Sequence, residues 1–164
     1  MDVRPALRSE IDAIARLWHD SWQEAHSEIL PEGHAQFWTL ATFEKVLCSD
    51  ITKVHVVGPI GKPLGLSIVK DDELNQIHVN KESRGTGVAK ALIDDAERRI
   101  SRAGNRIAWL ACGIGNSRAA RFYEKCGWHL ASVFTHELKT PAGSFQLDVW
   151  RFEKQLLSDE QGPS

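Results

Sequence analysis

Ile77-His78-Val79-Asn80-Lys81-Glu82-Ser83-Arg84-Gly85-Thr86-Gly87-Val88-Ala89-Lys90 joins the end of a strand to the start of a helix through two glycines. Beyond Gly87, the residues Val88, Leu92, Ala96 and Ile100 recur every four positions, Ala89 and Ile93 widen the stripe, and Gly104 ends it as a C-terminal cap. The first turn of a helix carries unpaired backbone N–H groups and a partial positive charge. Glycine lets that backbone approach a ligand closely, so a phosphate or pyrophosphate fits there, and Arg84 adds a charged donor. Read from the glycines alone, the turn is either a phosphate cradle or a tight connection that needs glycine for geometry. It is not a P-loop, because the G-x-x-x-x-G-K-[ST] spacing is missing. A dinucleotide fingerprint would need a small residue at Lys90 and an acid closing the next strand, which ends at Ala111-Cys112.

Working outward, Leu74 to Val79 reads as the strand leading into the turn, after a break at Asp71-Asp72. Before it, Val54 to Val57 and Leu64 to Val69 flank the turn-rich Gly58-Pro59-Ile60-Gly61-Lys62-Pro63. A short strand is expected over Val3 to Leu7. Ser9 is placed to cap a helix carrying Ile11, Ile14, Ala15, Trp18, Trp22 and Ala25 on one face. Pro31 and Gly33 interrupt that helix, and a second runs from about Phe37 to Cys48. Downstream, Ile107 to Cys112 is apolar enough for a strand covered on both faces. Asn116 opens a helix with Ala119, Phe122 and Cys126 on one face, ending at Gly127. Two strands follow, near Trp128 to Leu138 and Phe145 to Phe152, around Thr140-Pro141-Ala142-Gly143. The order predicts one α/β domain on a mixed sheet over residues 1–157, with a polar, disordered tail at 158–164.

The 164 residues suffice for one such domain, and 42% apolar with 26% charged residues is the balance of a soluble globular protein. A formal charge of −2 without a basic tail argues against nucleic acid, and no apolar run is long enough for a membrane span. With no signal-peptide segment and three scattered cysteines, a reducing, cytoplasmic setting without disulfides is expected. Cys126 and His129 have metal-like spacing, but two ligands make no site, so no metal is expected.

Two blocks in the right order and separation make the sequence resemble the GNAT superfamily of N-acetyltransferases. Arg84-Gly85-Thr86-Gly87-Val88-Ala89 fits that family's Q/R-x-x-G-x-G/A loop. Asn116-Ser117-Arg118-Ala119-Ala120-Arg121-Phe122-Tyr123-Glu124-Lys125-Cys126-Gly127-Trp128 follows its N-x-x-A-x-x-F-Y-E-x-x-G-F/W pattern. The element order extends the resemblance from residue 3 to residue 152; Asn80 departs from it, where many members have proline, which alters the stiffness of the loop. The resemblance implies a central sheet splayed between its fourth and fifth strands, flanked by helices, with the pantetheine arm of acetyl-CoA in the gap. It places the backbone of Ile77 and Val79 against that arm, with an amide near Val79 facing the thioester oxygen. The amides of Arg84, Gly85, Thr86, Gly87, Val88 and Ala89 would hold the pyrophosphate, and Asn116 would contact the cofactor beside the fifth strand.

Acyl transfer from a thioester to an amine needs a neutral amine, a stabilised oxyanion and a protonated leaving thiolate. A fixed backbone N–H meets the second at low reorganisation cost. Tyr123, the only tyrosine, stands at the family position for the third; a phenol near pKa 10 and a thiol near 8.5 exchange a proton without a steep climb. For the first, a lysine-like amine is free base about once in a thousand at pH 7, whereas an α-amine is free roughly one time in ten. Glu73 occupies a fourth-strand position where some members carry a carboxylate base, and it reads equally as a solvated acid after Asp71-Asp72. His78 reads as a half-exposed strand histidine, and the base stays open.

The acceptor is expected to be a small-molecule amine or a peptide amine. Asp20, Glu24, Glu28 and Glu32 recur every four residues, either as a row that attracts a cationic acceptor or as a solvated helix face. Trp18, Trp22 and Trp38 suit an aromatic pocket or core packing alike. The main rival function is a non-catalytic acyl-CoA-binding regulatory module, which would not need Tyr123; a nucleotide-binding domain is disfavoured by the failed motifs. Both monomer and homodimer are compatible with the sequence.

Overall fold

The computed structural model describes residues 1–26, 38–140 and 143–156. The strands are β1 (Val3–Pro5), β2 (Val54–Val57), β3 (Gly65–Lys70), β4 (Glu73–Val79), β5 (Ile107–Gly113), β6 (His129–Thr140) and β7 (Gly143–Gln155). The helices are α1 (Ile11–His26), α2 (Leu40–Asp50), α3 (Val88–Arg102) and α4 (Ser117–Lys125). The strands form one mixed sheet in the order β1-β2-β3-β4-β5-β7-β6, so the architecture is the mixed-sheet α/β fold expected. The polar tail, Glu28, Pro31, Glu32, Gly33 and the Pro141-Ala142 turn lie outside the described residues.

Each face of the sheet buries a different helix pair, as alternation along a strand requires. Ile14, Trp18 and Trp22 of α1 and Phe43 and Leu47 of α2 pack on Val54, Val56, Leu66 and Ile68. On the other face, Ile93, Ala96 and Ile100 of α3 and Ala120 and Tyr123 of α4 close over Leu74, Leu110 and Phe152. Gly65 is small because the sheet and α3 meet there: a Cβ would lie 2.8 Å from Leu92 Cδ1 and 2.8 Å from Val88 Cγ1.

Local chemistry moves several expected boundaries. Ser9 does not cap α1; it sits in a 3-10 turn, Arg8–Glu10, that precedes the helix. Glu10 organises this junction: its buried carboxylate accepts from Arg4 Nη1 at 2.9 Å and Nη2 at 2.6 Å, and from the N–H of Leu7 and of Gly61, each at 3.0 Å. The second helix starts at Leu40, because Thr39 Oγ1 caps it by accepting from the Thr42 N–H at 3.3 Å; Phe37, where it was expected to begin, lies outside the described residues. On α4 the deeply buried residues are Ala120 and Tyr123, with Ala119, Phe122 and Cys126 at the rim of the core. That helix ends at Gly127 (φ 88°), where the Trp128 N–H bonds the Tyr123 carbonyl and Trp128 turns inward to 2% exposure.

The sheet changes character between β4 and β5. This parallel pair is in register only at Glu73 and Trp109, near the start of each strand, and the strands then separate. The closed end is pinned twice, by the Trp109 N–H to the Asp72 carbonyl at 3.1 Å and by Trp109 Nε1 to Asp72 Oδ1 at 3.0 Å. Arg151 lies over the Trp109 ring, 4.3 Å from its centroid. On the other side of β4, Ile68 faces Gln76 while Val69 faces Leu74, so Asn75 is one extra residue, a bulge of the kind that bends a strand. The expectation that β5 is covered on both faces therefore fails: Ala111 is exposed toward the opening.

Candidate active site

The gap between β4 and β5 widens into a cavity of about 670 Å³ that reaches both faces of the sheet. Of the site residues expected from sequence, Glu73, Ile77, Val79, Arg84, Gly85, Gly87, Ala89, Asn116 and Tyr123 all line it. Val88 is buried behind the turn, and Thr86 folds onto the turn by donating its hydroxyl to the Ser83 carbonyl.

The turn that feeds α3 lies at the open end. Gly85 and Gly87 take φ of 77° and 93°, values in the left-handed region, while a Cβ would meet nothing within 4 Å at Gly85 and only Met1 Cε at 3.9 Å at Gly87. Glycine is therefore required here by backbone conformation and not by packing space. The first helical hydrogen bond runs from the Ala91 N–H to the Gly87 carbonyl at 3.0 Å. Among the described residues, the N–H groups of Gly85, Gly87, Val88, Ala89 and Lys90 donate to no protein acceptor, which leaves a row of donors at a helix N-terminus. Asn80 compensates for the absent proline: its Oδ1 accepts from the Ser83 N–H at 2.9 Å and fixes the entry to the turn.

The side chain of Arg84 is already engaged. Its Nη1 and Nη2 donate to Glu24 on α1 at 2.9 and 2.5 Å, and Arg118 of α4 reaches the same carboxylate at 3.4 Å. Arg84, assisted by Arg118, holds the Glu24 carboxyl down to about 2. Of the acidic row, Glu24 is paired with Arg84 and Arg118, Asp20 lies 3.3 Å from His19 Nδ1, and Glu28 and Glu32 lie outside the described residues.

The two sides of the cavity carry different chemistry. From the α3–α4 side comes Tyr123, 8% exposed, its ring 5.7 Å from Phe152 and 6.5 Å from Trp128. Burial, with Cys112 and Cys126 adding to it, raises the phenol well above its ordinary value, so it is a neutral donor at any working pH. Burial pushes the nearby Cys112 thiol up to about 11 as well. Asn116 spends its Oδ1 on capping α4 at the Ala119 N–H, 3.4 Å away, and keeps its amide N–H groups for other partners. From the α1–α2 side come Trp18, Trp22, Trp38 and Phe43, with ring centroids 4.7 Å (Trp18–Phe43) and 5.4 Å (Trp22–Trp38) apart. Here the pocket and the core share the same rings. Beside them His78, 9% exposed, bonds both Ser21 and Gln76; sequence reading placed this histidine half-exposed because it lacked α1 lying over it. Gln76, Ser21, Arg118 and His136 also line the cavity and carry no local sequence signal. Among the described residues, no three metal-ligating side chains converge.

The cavity thus joins a parted sheet, a glycine turn with unbonded amides and a lone buried tyrosine lining the gap. The chain belongs to the acetyltransferase (GNAT) family, whose model matches residues 11–128. It is 29% identical over 107 residues to an uncharacterized N-acetyltransferase of Methanocaldococcus jannaschii, a match covering 58% of this chain. The matched segment spans about half, 47%, of that curated relative's length. Among solved structures, the fold is similar to the PaiA N-acetyltransferase of Thermoplasma acidophilum in complex with coenzyme A (TM-score 0.73, 17% identity, 94% of this chain and 98% of that one). It is likewise similar to a phosphinothricin acetyltransferase of Sinorhizobium meliloti in complex with acetyl-CoA (TM-score 0.68, 17% identity, 99% and 92%).

Proposed function

We propose that this chain is an N-acetyltransferase that moves an acetyl group from acetyl-CoA to a primary amine by direct attack while both are bound. The observation that carries the reading is the parted β4–β5 pair with unbonded amides at its open end. An extended pantetheine arm fits along β4, where Ile77 and Val79 offer backbone hydrogen bonds in place of the missing neighbour strand. The amides of the Arg84–Ala89 turn fit a diphosphate, and Asn116 Nδ2–H fits the arm from the β5 side.

Acetyl-CoA supplies an activated thioester, and the protein's part is to hold it, exclude water and manage charge. A backbone N–H near Val79, fixed by the splay, stabilises charge on the carbonyl oxygen. Tyr123 donates a hydrogen bond to the departing sulfur. Burial raises the phenol above its ordinary value and so keeps the proton on Tyr123 until the sulfur departs. Glu73, the fourth-strand carboxylate considered from sequence, lines the same cavity at the closed end of the splay, where β4 and β5 are still paired.

The test is a thiol-release assay with acetyl-CoA across a panel of amines, with mass spectrometry of the product, alongside isothermal titration with acetyl-CoA, CoA and ATP. Acetyl-CoA binding with an acetylated amine is expected. Strong ATP binding without CoA binding ends the reading, and CoA binding without turnover of any amine turns it into the regulatory module.

A further inference from the structure

We propose that Ser21 and His78 form the proton acceptor for the incoming amine, with Gln76 as the positioning residue that sets the tautomer. This inference rests on the acetyltransferase reading above and assigns the base that the sequence left open.

The three residues come from two elements on the α1 side of the sheet and line the cavity together. Because Asn75 is the extra residue in β4, Gln76 and His78 both point toward α1, while Leu74 packs against α3. His78 Nε2 lies 2.8 Å from Gln76 Oε1, and His78 Nδ1 lies 2.9 Å from Ser21 Oγ. A carbonyl oxygen only accepts, so Nε2 carries the ring proton and Nδ1 is left as the acceptor. The Ser21 hydroxyl therefore donates to Nδ1, and Ser21 lines the cavity. This is the arrangement in which a hydroxyl can take a proton from a neighbour while passing its own to imidazole. Imidazole is also the side chain that ordinarily exchanges protons in the neutral range.

The position suits the reaction. His78 adjoins Val79, whose amide is assigned to the carbonyl oxygen, and Trp18 lies over the imidazole with centroids 6.1 Å apart. Tyr123 approaches from the opposite face of the sheet, so amine and leaving sulfur are served from two sides. Among the described residues, the other charged or titratable groups on the cavity walls are Glu73 on β4, Arg84 and Lys90 at the turn, Arg118 on α4 and His136 on β6, besides Cys112 and Tyr123. On α1, Glu24 is tied to Arg84 and Arg118, and Asp20 lies against His19. The protons balance. An ammonium acceptor loses its first proton to Ser21 Oγ as the Ser21 hydroxyl proton moves to His78 Nδ1, and the imidazolium returns it to solvent. The second is released as the C–N bond forms and the C–S bond breaks, and it ends on sulfur.

The experiment compares two aromatic amines under saturating acetyl-CoA at pH 7. 2-Phenylethylamine is protonated there, as lysine is with a pKa of about 10.4, and needs a base; phenylhydrazine is already a free base. In His78→Gln and Ser21→Ala, turnover of 2-phenylethylamine is expected to fall by about 100-fold or more, the scale of general-base catalysis, with phenylhydrazine turnover and acetyl-CoA affinity retained. Ser21→Thr, which keeps the hydroxyl, is expected to restore the loss. Equal loss of both amines in the folded Ser21→Ala variant, or loss of neither, overturns the relay while the acetyltransferase reading stands. Where the wild type acetylates neither amine, the comparison is made on a protonated and a free-base amine that the wider panel shows it to acetylate, and equal loss of both there overturns the relay.

Discussion

Glu24→Gln is expected to tighten coenzyme A binding, because Glu24 occupies the guanidinium that a diphosphate would use. The carboxylate stays charged down to about 2, so the competition operates throughout the usable pH range. The Arg84 and Glu24 side chains are 30% and 40% exposed, so water screens the pair. Such pairs are worth about 0.2–1 kcal/mol, with two-pronged arginine geometry at the upper end. Removing the competitor returns at most that amount, which lowers the Kd by about 1.4- to fivefold. Arg84→Ala removes a hydrogen bond to a charged group, worth about 1.5–3 kcal/mol, and raises the Kd roughly 10- to 100-fold. In the double variant the benefit of Glu24→Gln shrinks to what Arg118 alone contributes. Isothermal titration with CoA at low and high salt reads all four corners of the cycle, and the Glu24→Gln gain should fade as salt rises. Weaker CoA binding by Glu24→Gln, or an undiminished gain without Arg84, would refute the competition.

Tyr123→Phe is expected to lower kcat by about 100-fold or more with the acetyl-CoA Kd unchanged; thiol release and titration check it, and wild-type turnover removes the role. Glu10 makes a pH prediction. Its folded-state pKa is depressed, chiefly by Arg4, from 4.5 to about 2, so its contribution is present above 4.5 and is lost as pH falls through 2. That displacement corresponds to about 3 kcal/mol, and in urea titrations the stability difference between wild type and Glu10→Gln should be largest at neutral pH and vanish near pH 2. Gly65→Ala forces a methyl to within 2.8 Å of Leu92 and Val88 and 3.0 Å of the His78 carbonyl. Urea unfolding should show a loss of about 1–3 kcal/mol; an unchanged midpoint would show that α3 can shift away from the sheet.

The fold and half of the cavity are written locally in the chain. The turn at Arg84–Ala89 is legible because positive φ at Gly85 and Gly87 and the start of an amphipathic helix are local properties that follow from residue type and spacing. Tyr123 is legible for the same reason, standing in a block whose helix, cap and inward-turning Trp128 are set within a dozen residues. Short-range competition moved the boundaries: Thr39 captured the start of α2, and Glu10 rather than Ser9 organised the entry to α1.

What tertiary structure alone decided is everything that depends on two distant segments meeting. Glu24 looked like one member of an acidic row until folding set it against Arg84 and Arg118, 60 and 94 residues away. His78 acquired its partner only when α1 brought Ser21 across a separation of 57 residues. Sequence periodicity reports which face of an element is apolar, but it does not say which polar atoms will face one another across a gap. That pairing is fixed by the register of β4, where the extra residue Asn75 sets Gln76 and His78 on the side of α1.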